Sequence, residues 1–135
     1  MTSHDLTAIE PGSPVSAVAA FDVEYAEPSD HLSDVARKMR DQHVGALFVN
    51  QREGGVAIVT ERDIVRAAAD GSDAAWAVDC MTRDLVSGPA STPFADAADT
   101  LLTANIRHLA VEREDGVLGI VSIKDLLGPL VEHCG

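Results

Sequence analysis

Lysine is nearly missing from this 135-residue chain. Two lysines and eight arginines face fourteen aspartates and eight glutamates, for a formal net charge of −12. A field of that sign repels phosphate backbones and anionic headgroups, so neither nucleic acid nor a membrane surface is expected as a partner. Cysteine is scarce as well. Cys80 and Cys134 lie far apart with no metal-type spacing, which argues against a disulfide framework or zinc site and for two free thiols in a reducing cytosol. No apolar run approaches the ~20 residues of a membrane helix, and the most suggestive stretch, residues 15–21, is interrupted by Ser16. Met1, Thr2, Ser3, His4 and Asp5 lack the basic flank and apolar core of a secretion signal, so a cytoplasmic location is expected.

Catalytic signatures are absent too: no nucleophile elbow, no His-Glu-x-x-His, no phosphate-cradling glycine loop and no paired-cysteine motif. The chain is therefore expected not to be an enzyme. A carboxylate pair formed by Asp63 and Asp125 is the one catalytic arrangement left open.

What is present fits a compact folded chain. The apolar fraction is 46%, ordinary for a globular protein. Abundant Asp with scarce Lys resembles proteins of salt-accumulating halophiles, in which concentrated salt screens the self-repulsion. A mildly acidic protein from a mesophile is the alternative.

The strongest signal is internal repetition. Shifted forward by 62 positions, residues 32–65 fall on 94–127 without a gap. Asp34 lands on Asp96, Leu47 on Leu109, Gly54 on Gly116, Ile58 on Ile120 and Asp63 on Asp125, while Thr60 meets Ser122 and Arg62 meets Lys124. One supersecondary unit is used twice, and two such copies bury together the face that neither can bury alone.

Each copy reads as strand, helix, strand, strand, helix, an α/β (α+β) pattern. In the first, Val23, Glu24 and Tyr25 alternate like a strand. Leu32, Val35, Ala36 and Met39 recur at helical spacing, behind Ser29 or Asp30 as N-cap. Residues 46–49 and 56–59 read as buried strands joined at Gly54-Gly55. Thr60 then caps a helix whose Ile64, Val65 and Ala68 are expected to face inward. The second copy repeats this, with a strand at 85–87, a break at Gly88-Pro89, a helix from Pro93 to Ala104 with Pro93 in its first turn, strands near 109–111 and 117–121, and a helix from Ile123. Domain bounds follow: 1–13 a flexible tail, 14–71 the first copy, and 72–135 a connecting helix (72–81, anchored by Trp76) with the second copy.

Two stretches resemble a known domain. Val44-Gly45-Ala46-Leu47 with Ile58-Val59-Thr60-Glu61-Arg62-Asp63-Ile64-Val65 is similar to one cystathionine-β-synthase (CBS) domain. Ile106-Arg107-His108-Leu109 with Gly119-Ile120-Val121-Ser122-Ile123-Lys124-Asp125-Leu126-Leu127 is similar to a second. Val78-Asp79-Cys80-Met81-Thr82-Arg83 matches the usual start of such a domain, whereas residues 16–21 are degenerate, with Ala19 where Met81 stands. Together they resemble the tandem CBS pair, or Bateman module, over residues 14–130. That resemblance implies two pseudo-symmetric repeats packed through their sheets, no tightly bound cofactor, and AMP, ADP, ATP or another adenosyl compound as a regulatory ligand in clefts between repeats.

Carried over residue by residue, the resemblance assigns one cleft to Thr60 and Asp63 with Thr92, Ala97, Ile106 and Arg107. The other receives Ser122 and Asp125 with Asp30, Val35, Val44 and Gly45, and Arg107 with His108 resembles a phosphate-meeting pair that Arg62 and Lys124 extend. The carboxylate accepts ribose hydroxyls, and the adjoining helix N-terminus favours phosphate. A purely local reading of Thr60-x-x-Asp63 and Ser122-x-x-Asp125 as helix caps is equally complete. The functional expectation is a sensing module acting on a separate, unidentified protein, and the alternative is a structural dimerisation module without nucleotide. A stripe of Ile123, Leu126, Leu127, Leu130 and Val131, kinked at Gly128-Pro129, exceeds what one buried side needs and implies a homodimer.

Overall fold

The computed structural model describes residues 10–71 and 76–126. The expectations for residues 1–9, 72–75, Leu127, Gly128, Pro129, Leu130, Val131 and Cys134 lie outside the described residues. The chain forms two compact units, Asp22–Leu85 and Met1–Phe21 with Val86–Gly135.

In the unit spanning 22–85, β1 (Tyr25–Ala26) leads to α1 (Leu32–Gln42), then β2 (Ala46–Asn50), β3 (Val56–Thr60), α2 (Glu61–Ala69) and the single turn α3 (Ala77–Cys80). The sheet order is β1-β2-β3, with β1 parallel to β2 and β2 antiparallel to β3, pairing Ala46 with Thr60 and Asn50 with Val56. Residues 46–49 are fully buried, as a continuous apolar run demands. The turn between β2 and β3 places Gly54 and Gly55 at φ +98° and +84°, a region open to glycine at little cost. The second unit repeats the plan with β4 (Ser87–Pro89), α4 (Phe94–Ala104), β5 (His108–Glu112) and β6 (Leu118–Ser122), and residues 123–126 are helical. Its core gathers Val15, Phe94, Ala97, Leu101, Leu109 and Val121.

The two copies agree down to backbone detail. His43 and Asn105, 62 positions apart, both adopt left-handed conformations (φ 57° and 54°) that end α1 and α4. Val44 N–H then donates to Met39 O and Ile106 N–H to Leu101 O, each at 3.0 Å, closing the helix ends as a left-handed cap requires.

Several local expectations are corrected. Residues 14–21 pack with the second copy: Ala20 and Ile120 exchange two backbone hydrogen bonds of 2.9 Å, and Val15 enters that core. The equivalent Thr82 pairs with Ile58 of the first copy, and Ala77 and Val78 donate to Asp30 O and Pro28 O. Each lead-in segment thus joins the sheet of the other copy. Residues 10–13 are not a loose tail, because Pro11 O and Ser13 O accept the Ala95 and Phe94 amides, serving a helix start that has no side-chain cap. Pro93 occupies the N-cap position itself. Gly88 and Pro89 lie within β4, since a short parallel strand needs few donors. The N-cap of α1 is His31 without a side-chain bond; Asp30 instead accepts the Glu27 amide at 2.9 Å and closes that turn. Among the described residues the connecting helix is α3, and Trp76 is 48% exposed, with its ring edge-on to His31 at 5.2 Å between centroids. The apolar flank of α2 faces inward only in part: Ile64 is half-buried, whereas Ala68 is exposed and Val65 is 66% exposed. Among the described residues no helix is long and apolar enough to cross a membrane.

Candidate ligand-binding site

The Thr-x-x-Asp motif sits where β3 turns into α2. Thr60 is the last residue of β3 and the N-cap of α2, with the extended φ and ψ that a cap needs. Its hydroxyl accepts the Asp63 amide at 3.3 Å, and Asp63 Oδ2 accepts the Thr60 amide at 2.9 Å and the Thr60 hydroxyl at 3.1 Å. This reciprocal capping box satisfies two amides that helix geometry leaves without partners. One carboxylate oxygen is thereby engaged, and no hydrogen bond to Oδ1 is found among the described residues.

The neighbouring edge is built from β2. The Gly45 carbonyl accepts the Glu61 amide at 3.0 Å, so the first backbone amide of α2 is tied to the segment before β2. Val44 and Gly45, both half-buried, therefore share one corner of the unit with Thr60 and Asp63. The second unit builds the same corner. Ser122 N–H donates to Asp125 Oδ2 at 2.7 Å, Asp125 N–H donates to Ser122 Oγ at 3.2 Å, and Ile123 N–H donates to Arg107 O at 2.9 Å. Ile106 is half-buried beside it, and the Arg107 side chain is exposed.

The remaining sequence candidates divide. Thr92 is half-buried, and its hydroxyl donates to Pro89 O at 2.6 Å, which leaves its lone pairs as acceptors. Ala97 and Val35 have no exposed surface; Ala97 belongs to a hydrophobic core, so both side chains are committed to packing. Asp30 is occupied by the Glu27 amide and by Lys38 at 3.6 Å. His108 is half-buried at the start of β5, opposite Ser122. Arg62 and Lys124 are exposed. Sequence reasoning missed the Gly45 and Arg107 carbonyls, which signal only by position. It also missed Cys80, whose thiol pKa is raised by burial first and then by the negative charges of Asp79 and Asp63. The negative charge of Asp63 is thus felt at the Cys80 thiol.

What such a corner can do chemically is limited and specific. A half-engaged carboxylate accepts hydroxyl donors, and the N-terminus of α2 carries partial positive charge. Among the described residues no group of three or more His, Cys, Asp or Glu side chains is arranged to hold a metal ion.

Comparison with known proteins fits this duplicated architecture. An uncharacterized 17.7 kDa protein of Acidianus ambivalens is 34% identical over 120 residues, covering 87% of this chain and 73% of that protein. In the solved structure of CBSX2 in complex with AMP, the fold agrees with a TM-score of 0.71 at 19% identity, over 92% of this chain and 100% of that one. The CBS domain pair of protein MJ0100, in complex with 5′-methylthioadenosine and S-adenosyl-L-methionine, agrees with a TM-score of 0.76 at 20% identity, over 87% and 99%. Residues 1–70 and 77–132 each match the CBS domain, and the chain belongs to that family, carrying two copies of the domain.

Proposed function

We propose that this protein is a regulatory sensor of an adenosine-containing ligand. The observation that carries the reading is the duplicated corner in which Asp63 and Asp125 each hold a helix start with one oxygen. The second oxygen of each is suited to the two hydroxyls of a ribose. Thr60 and Asp63 serve one ligand and Ser122 and Asp125 another, with Arg107 supplying charge for a phosphate. The AMP held by CBSX2 and the adenosyl compounds held by MJ0100 support this ligand class. The protein acts in the cytoplasm by passing ligand occupancy to a separate protein, and it does so as a homodimer. The dimer reading rests on α2, which has no fully buried residue and leaves Val65 66% exposed, and on Leu102 of α4, 72% exposed; apolar helix surface of this kind marks an interface.

The test is a panel of AMP, ADP, ATP, S-adenosylmethionine and adenosine by calorimetry and thermal unfolding at fixed salt. At one hundred times its dissociation constant, a true ligand stabilises the fold by about 2.7 kcal/mol. Light scattering with and without that ligand reads the oligomer. A dimer whose stability ignores every adenosyl compound at millimolar levels replaces the sensor with a dimerisation module.

A further inference from the structure

The unit spanning 22–85 holds a cavity of about 470 Å³ that is separate from the Thr60–Asp63 corner. Its wall includes Arg52 in the turn after β2, at the end of the sheet where Asn50 pairs with Val56; Thr60 pairs with Ala46 at the other end. Four residue steps along β2 separate the two ends, roughly 13 Å. The size falls in the range of small-molecule pockets, about 300–1,000 Å³. Pro28, Val78 and Met81 give it apolar walls, Trp76 adds an exposed indole, and Arg52 and Arg83 add two guanidinium groups. The Arg83 side chain is held by Gln51 Oε1 at 3.1 Å. Arg52 is exposed and has no carboxylate partner among the described residues. Two arginines at one cavity reverse the local sign in a chain of net charge −12.

The duplicated sequence sharpens the point. In the second copy, Phe21 stands in the register of Arg83, Pro14 in that of Trp76 and Glu114 in that of Arg52. The Phe21 ring lies against Gly119 and under the Arg113 guanidinium, 4.9 Å from the ring centroid. An aromatic ring supplied by the chain itself thus packs beside a guanidinium in one unit. The other unit offers the guanidiniums and an indole around empty volume.

We propose that this cavity is a second ligand site, for a small aromatic anion whose ring lies against Trp76, Val78 and Met81 and whose carboxylate or phosphate meets Arg52 and Arg83. Guanidinium forks bind such oxyanions through paired N–H donors, and the indole contributes rigid apolar area. Glu53, which also lines the cavity, disfavours ligands with more than one anionic group on that side.

Trp76 is the sole tryptophan, so its fluorescence reports on this cavity alone. The probes are phenyl phosphate, benzyl alcohol and inorganic phosphate, titrated into the full chain at constant ionic strength. Phenyl phosphate should change the emission saturably, with affinity at least about tenfold above either half-molecule, or about 1.4 kcal/mol. Arg52→Ala, in an exposed turn, and Arg83→Ala should each lose about tenfold. Asp63→Ala, which disturbs the other corner, should leave phenyl phosphate binding unchanged. The proposal is overturned if phenyl phosphate gives no saturation by about 10 mM, a level corresponding to negligible affinity. Equal binding of inorganic phosphate or benzyl alcohol overturns it as well. So does Arg52→Ala with unaltered circular dichroism and unaltered affinity, or a loss of phenyl phosphate binding in Asp63→Ala.

Discussion

Replacing Asp63 separates its two roles, because alanine and asparagine remove different things. Asp63 Oδ2 holds the half-buried Thr60 amide at 2.9 Å and the Thr60 hydroxyl at 3.1 Å. Asp63→Ala deletes that acceptor and half of the capping box, which costs about 0.5–2 kcal/mol. Loss of negative charge in the first turn of α2 adds about 0.3–1 kcal/mol. Asp63→Asn keeps an amide oxygen for the Thr60 N–H and loses only the charge, so its stability cost is the smaller figure. Ligand binding should respond in the opposite way. Hydrogen bonds from ribose hydroxyls to a charged acceptor are worth about 1.5–3 kcal/mol, or roughly 10- to 150-fold in affinity. Asparagine has one acceptor oxygen, already engaged by the cap, and nothing else to offer a hydroxyl donor. Asp63→Asn should therefore fold almost as well as the parent and bind adenosyl ligand nearly as poorly as Asp63→Ala. Urea unfolding gives the first quantity and calorimetry the second. Full ligand affinity in Asp63→Asn would refute the carboxylate–ribose assignment, and an unaltered urea midpoint in Asp63→Ala would refute the capping account.

Three further outcomes follow from particular contacts. A Cβ at Gly119 would lie 2.6 Å from Phe21 Cδ1 and 3.1 Å from Ala20 O, on a segment fixed by its bridge to Ile120; Gly119→Ala should destabilise by about 1–3 kcal/mol, and adding Phe21→Ala should recover part of that loss in chemical denaturation. The raised Cys80 thiol favours the protonated form in the folded state, so its contribution to stability is whole below the unfolded cysteine pKa and is lost as pH rises through the folded value; in a Cys134→Ser background, iodoacetamide should modify native protein at about pH 8.5 more slowly than unfolded protein. With a net charge of −12, the melting temperature should rise as monovalent salt approaches the molar range, where the Debye length falls to about 3 Å; a flat or falling curve rejects the halophile reading.

Much of the fold was legible because the repeat constrains it twice. Leu32, Val35 and Met39 at helical spacing gave α1 and are buried as that spacing requires. The apolar runs after Gly45 and Gly55 gave β2 and β3. The Thr60 cap was legible for a local reason, since the hydroxyl and carboxylate are three residues apart and need no tertiary context. Partner choice was not legible. Nothing in residues 16–21 or 78–83 tells the reader that each strip pairs with the strand of the other copy, because backbone bridges such as Ala20 to Ile120 carry no side-chain signature. The orientation of α2 failed for a related reason. Ile64, Val65 and Ala68 make an apolar stripe whether it faces a core or a surface outside the unit, and periodicity reports only that a stripe exists. The Arg52–Trp76–Arg83 cavity escaped because its residues come from three separate segments with no common spacing.

Where the copies agree and where they diverge are different regions with different chemistry. The agreements cluster at the corner of each unit: left-handed His43 and Asn105, the Gly45 and Arg107 carbonyls, and the two reciprocal Thr/Ser–Asp caps. Folding alone explains the caps, yet it does not explain why aspartate in particular occupies the same cap position twice, since Ser and Thr followed by Glu or Gln close the box as well. A shorter acid keeps its oxygens at the helix start, where a hydroxyl-bearing ligand can reach them. The divergences gather at the opposite end of the sheet, where Arg83 replaces Phe21 and Ala57 replaces Gly119 in register. There one unit is filled by the Phe21 ring against Gly119 and the other retains a cavity. Duplication thus supplies two equivalent corners, the sites proposed for one class of ligand, and divergence gives a single unit a surface of its own.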